Sequence, residues 1–143
     1  MLSTLRSRAS REEGFTLVEL LVVILIVGIL AAIALPTFLG QQKKGQDAAA
    51  KSDARNLVSH VESCFADTQD YTLCNSAQLG TTGLALGTAA GQVDVVGSAT
   101  GYVVTAVSKN GPGNKFLITR ASGVLSRSCD HPNSGGCKSD STW

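Results

Sequence analysis

Six residues of this 143-residue chain are of types that could gather at a chemical site: Cys64, Cys74, Cys129 and Cys137, with His60 and His131. His60 and Cys64 are four apart, a spacing that on a helix can present one edge of a metal site. Cys129, His131 and Cys137 add further donors. Two disulfides are the simpler use of four cysteines in a chain with an export-type N-terminus. Three pairings are open. The two local ones, Cys64 with Cys74 and Cys129 with Cys137, are favoured, because each closes a short loop and stabilises by about 2–3 kcal/mol in the chain-entropy model. Disulfides place the globular part outside the reducing cytoplasm. We therefore expect no metal and no cofactor, with His60 on a polar helix surface. Nothing points to an enzyme: there is no Ser-His-Asp order, no G-x-S-x-G elbow and no phosphate loop. The stretch "GTAAGQ" lacks the strand-to-helix context that phosphate binding needs, and Asp67, Asp70 and Asp94 are scattered acids expected in solvated loops.

One further acid is harder to place. Glu19 sits inside an apolar block running from Phe15 to Leu39, and residues 20–35, "LLVVILIVGILAAIAL", carry no polar side chain at all. As a helix the 25-residue block is about 37 Å long, enough to cross a hydrocarbon core of about 30 Å. The preceding segment "MLSTLRSRASREE" carries Arg6, Arg8 and Arg11, which keeps that end cytoplasmic by the positive-inside rule. Two simple uses of such a segment are a signal anchor and a secretory signal cut at the A-x-A pattern of Ala32 to Ala34. Neither accounts for Glu19, whose burial in lipid costs up to about 3 kcal/mol at a helix centre. No basic residue lies within the segment to pair with it.

The stretch "GFTLVELLVVILIVGILAAIALP" resembles the prepilin signature of type IV pilins, most like type IVa, and of the related pseudopilins of type II secretion and DNA uptake. The resemblance covers residues 1–40. It implies a leader peptide at 1–14, a membrane and filament-core helix at 15–40 and a globular pilin domain at 41–143. It also implies peptidase cleavage between Gly14 and Phe15 on the cytoplasmic side and N-methylation of Phe15. A glycine before the cut lets a protease approach the backbone closely. Cutting there removes Arg6, Arg8, Arg11, Glu12 and Glu13, leaving nine positive and nine negative side chains. It also creates an ammonium at Phe15. The resemblance implies that Glu19 pairs with the Phe15 ammonium of a neighbouring subunit, a contact that sets register more than stability. Gly28 and Pro36 bound a stretch that in related pilins can unwind within the filament; Pro36 by itself removes a helix hydrogen bond and favours a kink. Implied partners are copies of the same chain in a helical filament, the membrane, a prepilin peptidase, a platform protein and an assembly ATPase. The implied location is the cytoplasmic membrane, then a surface filament. A minor pilin, a pseudopilin, and a secreted disulfide-stapled binding domain released after Ala34 are the alternatives.

These features must be positioned by the rest of the chain. Ala50, Ala54, Leu57, Val58, Val61 and Phe65 recur at helical spacing, so one helix is expected from about 15 to 66, its second half laying this stripe on a sheet. Lys43, Asp47 and Lys51 are i,i+4 neighbours expected on the solvated side. Residues 67–91 read as a structured loop rich in Gly, Thr and Ala. Val-rich or alternating segments from Gln92, Tyr102, Lys115 and Val124 predict an antiparallel meander of three or four strands, with turns at "NGPGN" and "ASG". The fold class is α+β, the pilin fold of one long helix on an antiparallel sheet. The tail "CDHPNSGGCKSDSTW" resembles the C-terminal disulfide loop of many type IV pilins. Net charge is +1, with no concentrated basic run to indicate nucleic-acid binding.

Overall fold

The computed structural model describes residues 14–110 and 114–143. The leader up to Glu13 and the centre of the "NGPGN" turn lie outside the described residues. The chain divides into two compact units, the first ending at Leu39 and the second running Gly40–Trp143. A single helix, α1 (Leu17–Thr68, 52 residues), belongs to both. Four strands follow: β1 (Val93–Ser98), β2 (Gly101–Val107), β3 (Lys115–Ala121) and β4 (Val124–Cys129). They form one antiparallel sheet in the order β1-β2-β3-β4, so the fold is α+β with every strand beside its sequence neighbour.

The helical stripe becomes the core of the second unit. Ala50, Ala54, Leu57 and Val61 are buried among Val93, Val95, Tyr102, Val104, Ala106, Phe116 and Ile118 of the sheet, while Val58 and Phe65 flank them half-buried. The register puts alternate residues on that face: Val95, Val104 and Ile118 are successive cross-strand partners, as period-two side-chain direction requires. A polar bridge joins the same elements at one side of the core. Glu62 of α1 accepts from Tyr102 Oη (2.8 Å), Tyr71 Oη (3.2 Å) and the Arg120 guanidinium (2.6 Å). Burial first, then the bond to Glu62, pushes the Tyr102 phenol well above its ordinary pKa, and the bond to Glu62 raises that of Arg120.

Local chemistry sets the boundaries. The helix ends where Gln69 turns to φ 58° and its amide bonds Phe65 O at 2.7 Å, a left-handed C-terminal cap. Asp70 then caps the short 3-10 turn Tyr71–Leu73, accepting from Thr72 N and Oγ1. Between β3 and β4, Ser122 (φ 49°) and Gly123 (φ 84°) make a two-residue hairpin loop whose positive dihedrals match the strand twist. Both sheet edges receive cover from loops. On β1, Ser76 and Asn75 bond Val95 and Gly97. On β4, Ser141 O accepts from Cys129 N, and Ser128 O accepts from Trp143 Nε1.

Three acids differ from expectation, and the first, Asp67, lies in the last turn of α1 and not in a loop because the helix runs on to Thr68. Asp47 is buried, about 1% exposed, beneath the loop that follows β4. Its Oδ2 accepts from Gly136 N at 3.2 Å, and Lys51 Nζ donates to Gly136 O at 2.6 Å. The two side chains thus clasp one residue of the loop, Gly136, from its N–H and its C=O, instead of each other. No ammonium lies within 4.0 Å of Asp47 among the described residues. The loop brings the contact within reach because Gly135 (φ 58°) has no side chain; a Cβ there would overlap Asp47 Oδ2. Asp94 lies in β1 and not in a loop, accepting from Ser76 Oγ at 2.6 Å.

Candidate processing and assembly site

From Leu17 to Leu39, α1 is apolar around its whole circumference, and its large side chains are exposed all the way round. A water-soluble helix normally buries one apolar stripe. Here there is no stripe to bury: the segment's solvent has to be apolar too. The helix is long and apolar enough to cross a membrane. Gly28 has open space where a side chain would go. Pro36 lies inside the helix without ending it, and Thr37 Oγ1 donates to Ala34 O at 2.8 Å beside it.

At the helix start the side chains are arranged specifically. Glu19 Oε2 accepts from Thr16 N (2.9 Å) and Thr16 Oγ1 (2.8 Å), while Thr16 Oγ1 accepts from Glu19 N (3.2 Å). This is a reciprocal capping box, with Thr16 as N-cap and Glu19 three residues on. A free helix N-terminus leaves unsatisfied amides carrying partial positive charge, and a carboxylate in the first turn is favourable there. Glu19 is therefore not a bare carboxylate in an apolar helix. Just ahead of the box, Phe15 is 87% exposed, and Gly14 is also exposed, with nothing within 4 Å of where its Cβ would be. Among the described residues nothing covers the 14–15 peptide.

The four cysteines form two disulfides, Cys64–Cys74 and Cys129–Cys137, both in the second unit. The first ties the end of α1 to the loop after it. The second closes the loop that Asp47 and Lys51 clasp. Among the described residues no group of three or more His, Cys, Asp and Glu side chains converges to hold a metal.

Residues 9–35 match the model of the prokaryotic N-terminal methylation motif. The same end of the chain is similar to several characterised proteins. It is 40% identical over 62 residues to the type IV major pilin protein PilA of Myxococcus xanthus, covering 43% of this chain and 28% of that one. It is 39% identical over 72 residues to the type IV wide pilus major component PilA4 of Thermus thermophilus, covering 50% and 54%. It is 38% identical over 61 residues to the type II secretion system core protein G of Dickeya chrysanthemi, covering 43% and 40%. The N-terminal half of this chain is type IV pilin-like. The matched stretch spans between about a quarter and about half of each of these relatives' length.

In this pilin-like chain the structure adds Thr16 to the residues singled out by sequence. Its signal was present in "TLVE", a threonine followed three residues later by glutamate ahead of an apolar run, which is the capping-box pattern. Glu62 had no such signal. It is one polar residue on a mixed helix face, and its partners Tyr102 and Arg120 lie 40 and 58 residues away in sequence.

Proposed function

We propose that this chain is a structural, non-enzymatic subunit of a type IV pilus filament. It is inserted in the cytoplasmic membrane as a prepilin, cleaved between Gly14 and Phe15, N-methylated at Phe15 and polymerised through the apolar half of α1 onto the cell surface. The observation that carries this is the all-round exposure of large apolar side chains from Leu17 to Leu39, with a single ionisable residue, Glu19, among them. Such a surface suits lipid first and the packed helices of a filament core afterwards.

The capping box gives Glu19 a physical course through both environments. Cleavage leaves Thr16 with an ordinary amide N–H, so the box survives maturation. The carboxylate enters the membrane already hydrogen-bonded, which lowers its desolvation penalty. It keeps acceptor capacity for one more donor, since an ionised carboxylate has about four lone-pair sites. A neighbouring subunit's Phe15 ammonium, created by the cut, supplies that donor with a full opposite charge. Misregistered helices leave both charges unpaired in an apolar core, so the pair selects register. The helix between Gly28 and Pro36 is the stretch proposed to extend on assembly. The peptidase, platform protein and assembly ATPase are the partners this life cycle requires.

The test is the N-terminal mass of the mature protein together with Glu19→Ala. A chain beginning at methylated Phe15, and a variant that inserts in the membrane but forms no filaments, are the expected results. A chain beginning at Leu35 would replace this reading with a secreted domain. Normal filaments from Glu19→Ala would remove Glu19 from assembly. A second reading, a pseudopilin of type II secretion, is favoured by the similarity to core protein G. Electron microscopy of surface fibres in the native cell separates it from a pilus subunit.

A further inference from the structure

The second unit gathers positive charge around one aromatic ring. Trp143 is the chain's single tryptophan, and its indole is anchored at one edge, Nε1 donating to Leu117 O (3.2 Å) and Ser128 O (2.9 Å). Lys51 Nζ lies 5.5 Å from the ring centroid, the Arg55 guanidinium carbon 5.2 Å and that of Arg127 5.3 Å. These cations come from separate places: Lys51 and Arg55 from α1, Arg127 from β4. Lys138, just past the Cys129–Cys137 loop, is near enough to act on Lys51. Burial first, then Arg55 and Lys138, depress the Lys51 pKa, with Asp47 opposing them.

Each cation is attracted by the π-face, but each repels the others. Asp47 partly offsets the charge on Lys51, but among the described residues no carboxylate lies within 4.0 Å of Arg55 or Arg127. Among the described residues the only carboxylate within 4.0 Å of a guanidinium or ammonium is Glu62, which pairs with Arg120. Asp47 is committed to Gly136 N beneath the loop, and Asp140 accepts from Thr142 N and Oγ1. The hydrogen-bonding capacity is likewise unspent. Arg120 is the sole arginine among the described residues whose guanidinium donates a hydrogen bond within the chain. The guanidinium carbons of Arg55 and Arg127 lie near the indole, both side chains are exposed, and among the described residues neither guanidinium donates a hydrogen bond within the chain. Like charges gathered from different elements around an immobilised ring, with no carboxylate paired to either guanidinium among the described residues, are arranged for an external anion.

We propose that Arg55, Arg127 and Lys51, assembled around Trp143, bind a tetrahedral oxyanion: a phosphate or sulfate ester group on a larger molecule. Donors arriving from separate elements suit a group that presents oxygens in several directions. A planar carboxylate is satisfied by a single guanidinium fork. The shared chemistry is the oxyanion; a sulfated glycan, a nucleic-acid backbone and a phospholipid headgroup are its possible sources. The site is independent of the membrane segment and of the filament role.

Trp143 itself reports on the site. The full chain in detergent micelles, at constant ionic strength held with chloride, is titrated while its tryptophan fluorescence is followed. The probes are sodium pyrophosphate, a heparin oligosaccharide, a short oligothymidylate, micelles doped with phosphatidylglycerol, and succinate as the carboxylate control. A saturable change with one or more of the phosphate or sulfate probes is expected, and the tightest identifies the source. Binding should weaken about tenfold or more in R55Q/R127Q, as loss of charged hydrogen bonds predicts, and less in R55K/R127K, which keeps the charge but not the forks. R127Q alone, at an exposed strand position, serves where the double variant misfolds. No saturable change with any oxyanion probe, undiminished binding in R55Q/R127Q and R127Q, or succinate binding as tightly as pyrophosphate would each overturn the proposal.

Discussion

The two halves of α1 share one backbone and solve opposite problems. Between Leu17 and Leu39 the apolar residues occupy every face and remain exposed, Leu25 at 57%. Between Asp47 and Val61 the burial is confined to Asp47, Ala50, Ala54, Leu57 and Val61, one stripe against the chain's own sheet. Among the described residues the first half has no packing partner and the second has one. Hydrophobicity alone therefore does not mark the core of this protein; its angular distribution does. A stripe calls for a partner on one side, whereas a fully apolar cylinder calls for an apolar medium.

Substitutions can break or sharpen that contrast. Leu57→Ala and Leu25→Ala delete the same atoms. Leu57→Ala should lower the unfolding free energy of the second unit by about 2–5 kcal/mol through lost burial and a cavity. Leu25→Ala should leave it within about 0.5 kcal/mol. Denaturant titration of the full chain in micelles, followed by Trp143 fluorescence, measures both; equal effects would erase the distinction. Gly135→Ala tests the clasp on the stripe's first turn. The left-handed dihedral disfavours a side chain by about 1–2 kcal/mol, and overlap with Asp47 adds to that, so the loop should loosen and the same titration midpoint should fall. An unchanged midpoint would mean the clasp contributes nothing.

A pH series probes the polar side of the stripe. Tyr102 holds its proton more tightly folded than unfolded, because burial and Glu62 both disfavour the phenolate. Stability from this source is full below the unfolded tyrosine pKa of about 10 and is lost as pH rises above it. Tyr102→Phe should flatten this alkaline decline; an equally steep decline in the variant would place its origin elsewhere. The most local effect belongs to the start of the apolar half. Thr16→Ala removes the N-cap hydroxyl and should destabilise the first helical turn by about 1 kcal/mol, seen as faster amide exchange at residues 17–20 in micelles, with exchange beyond residue 50 unchanged.

Much of this was legible in the residues. The apolar block, the helical stripe and the alternation of the strands are local periodicities, and the four strands begin within a residue of where their sequence signals start. The "ASG" hairpin was legible because its φ requirements are met by few residue types. Asp47 was misplaced because i,i+4 spacing says only that Lys43, Asp47 and Lys51 share a helix side. It is silent on a loop that returns some 85 residues later and offers an amide to one and a carbonyl to the other. The capping box is legible in "TLVE", because its threonine-to-glutamate spacing of three is itself the motif.

By itself, the sequence determined the elements, the membrane-length helix and the start motif, because each is written in neighbours within about ten residues. Only the tertiary structure decided that Glu62 bridges Tyr102 and Arg120, that Asp47 is buried, and that Arg55 and Arg127 meet over Trp143. Those contacts join residues that share no periodicity, and they exist because sheet register and loop closure fix which distant side chains face one another.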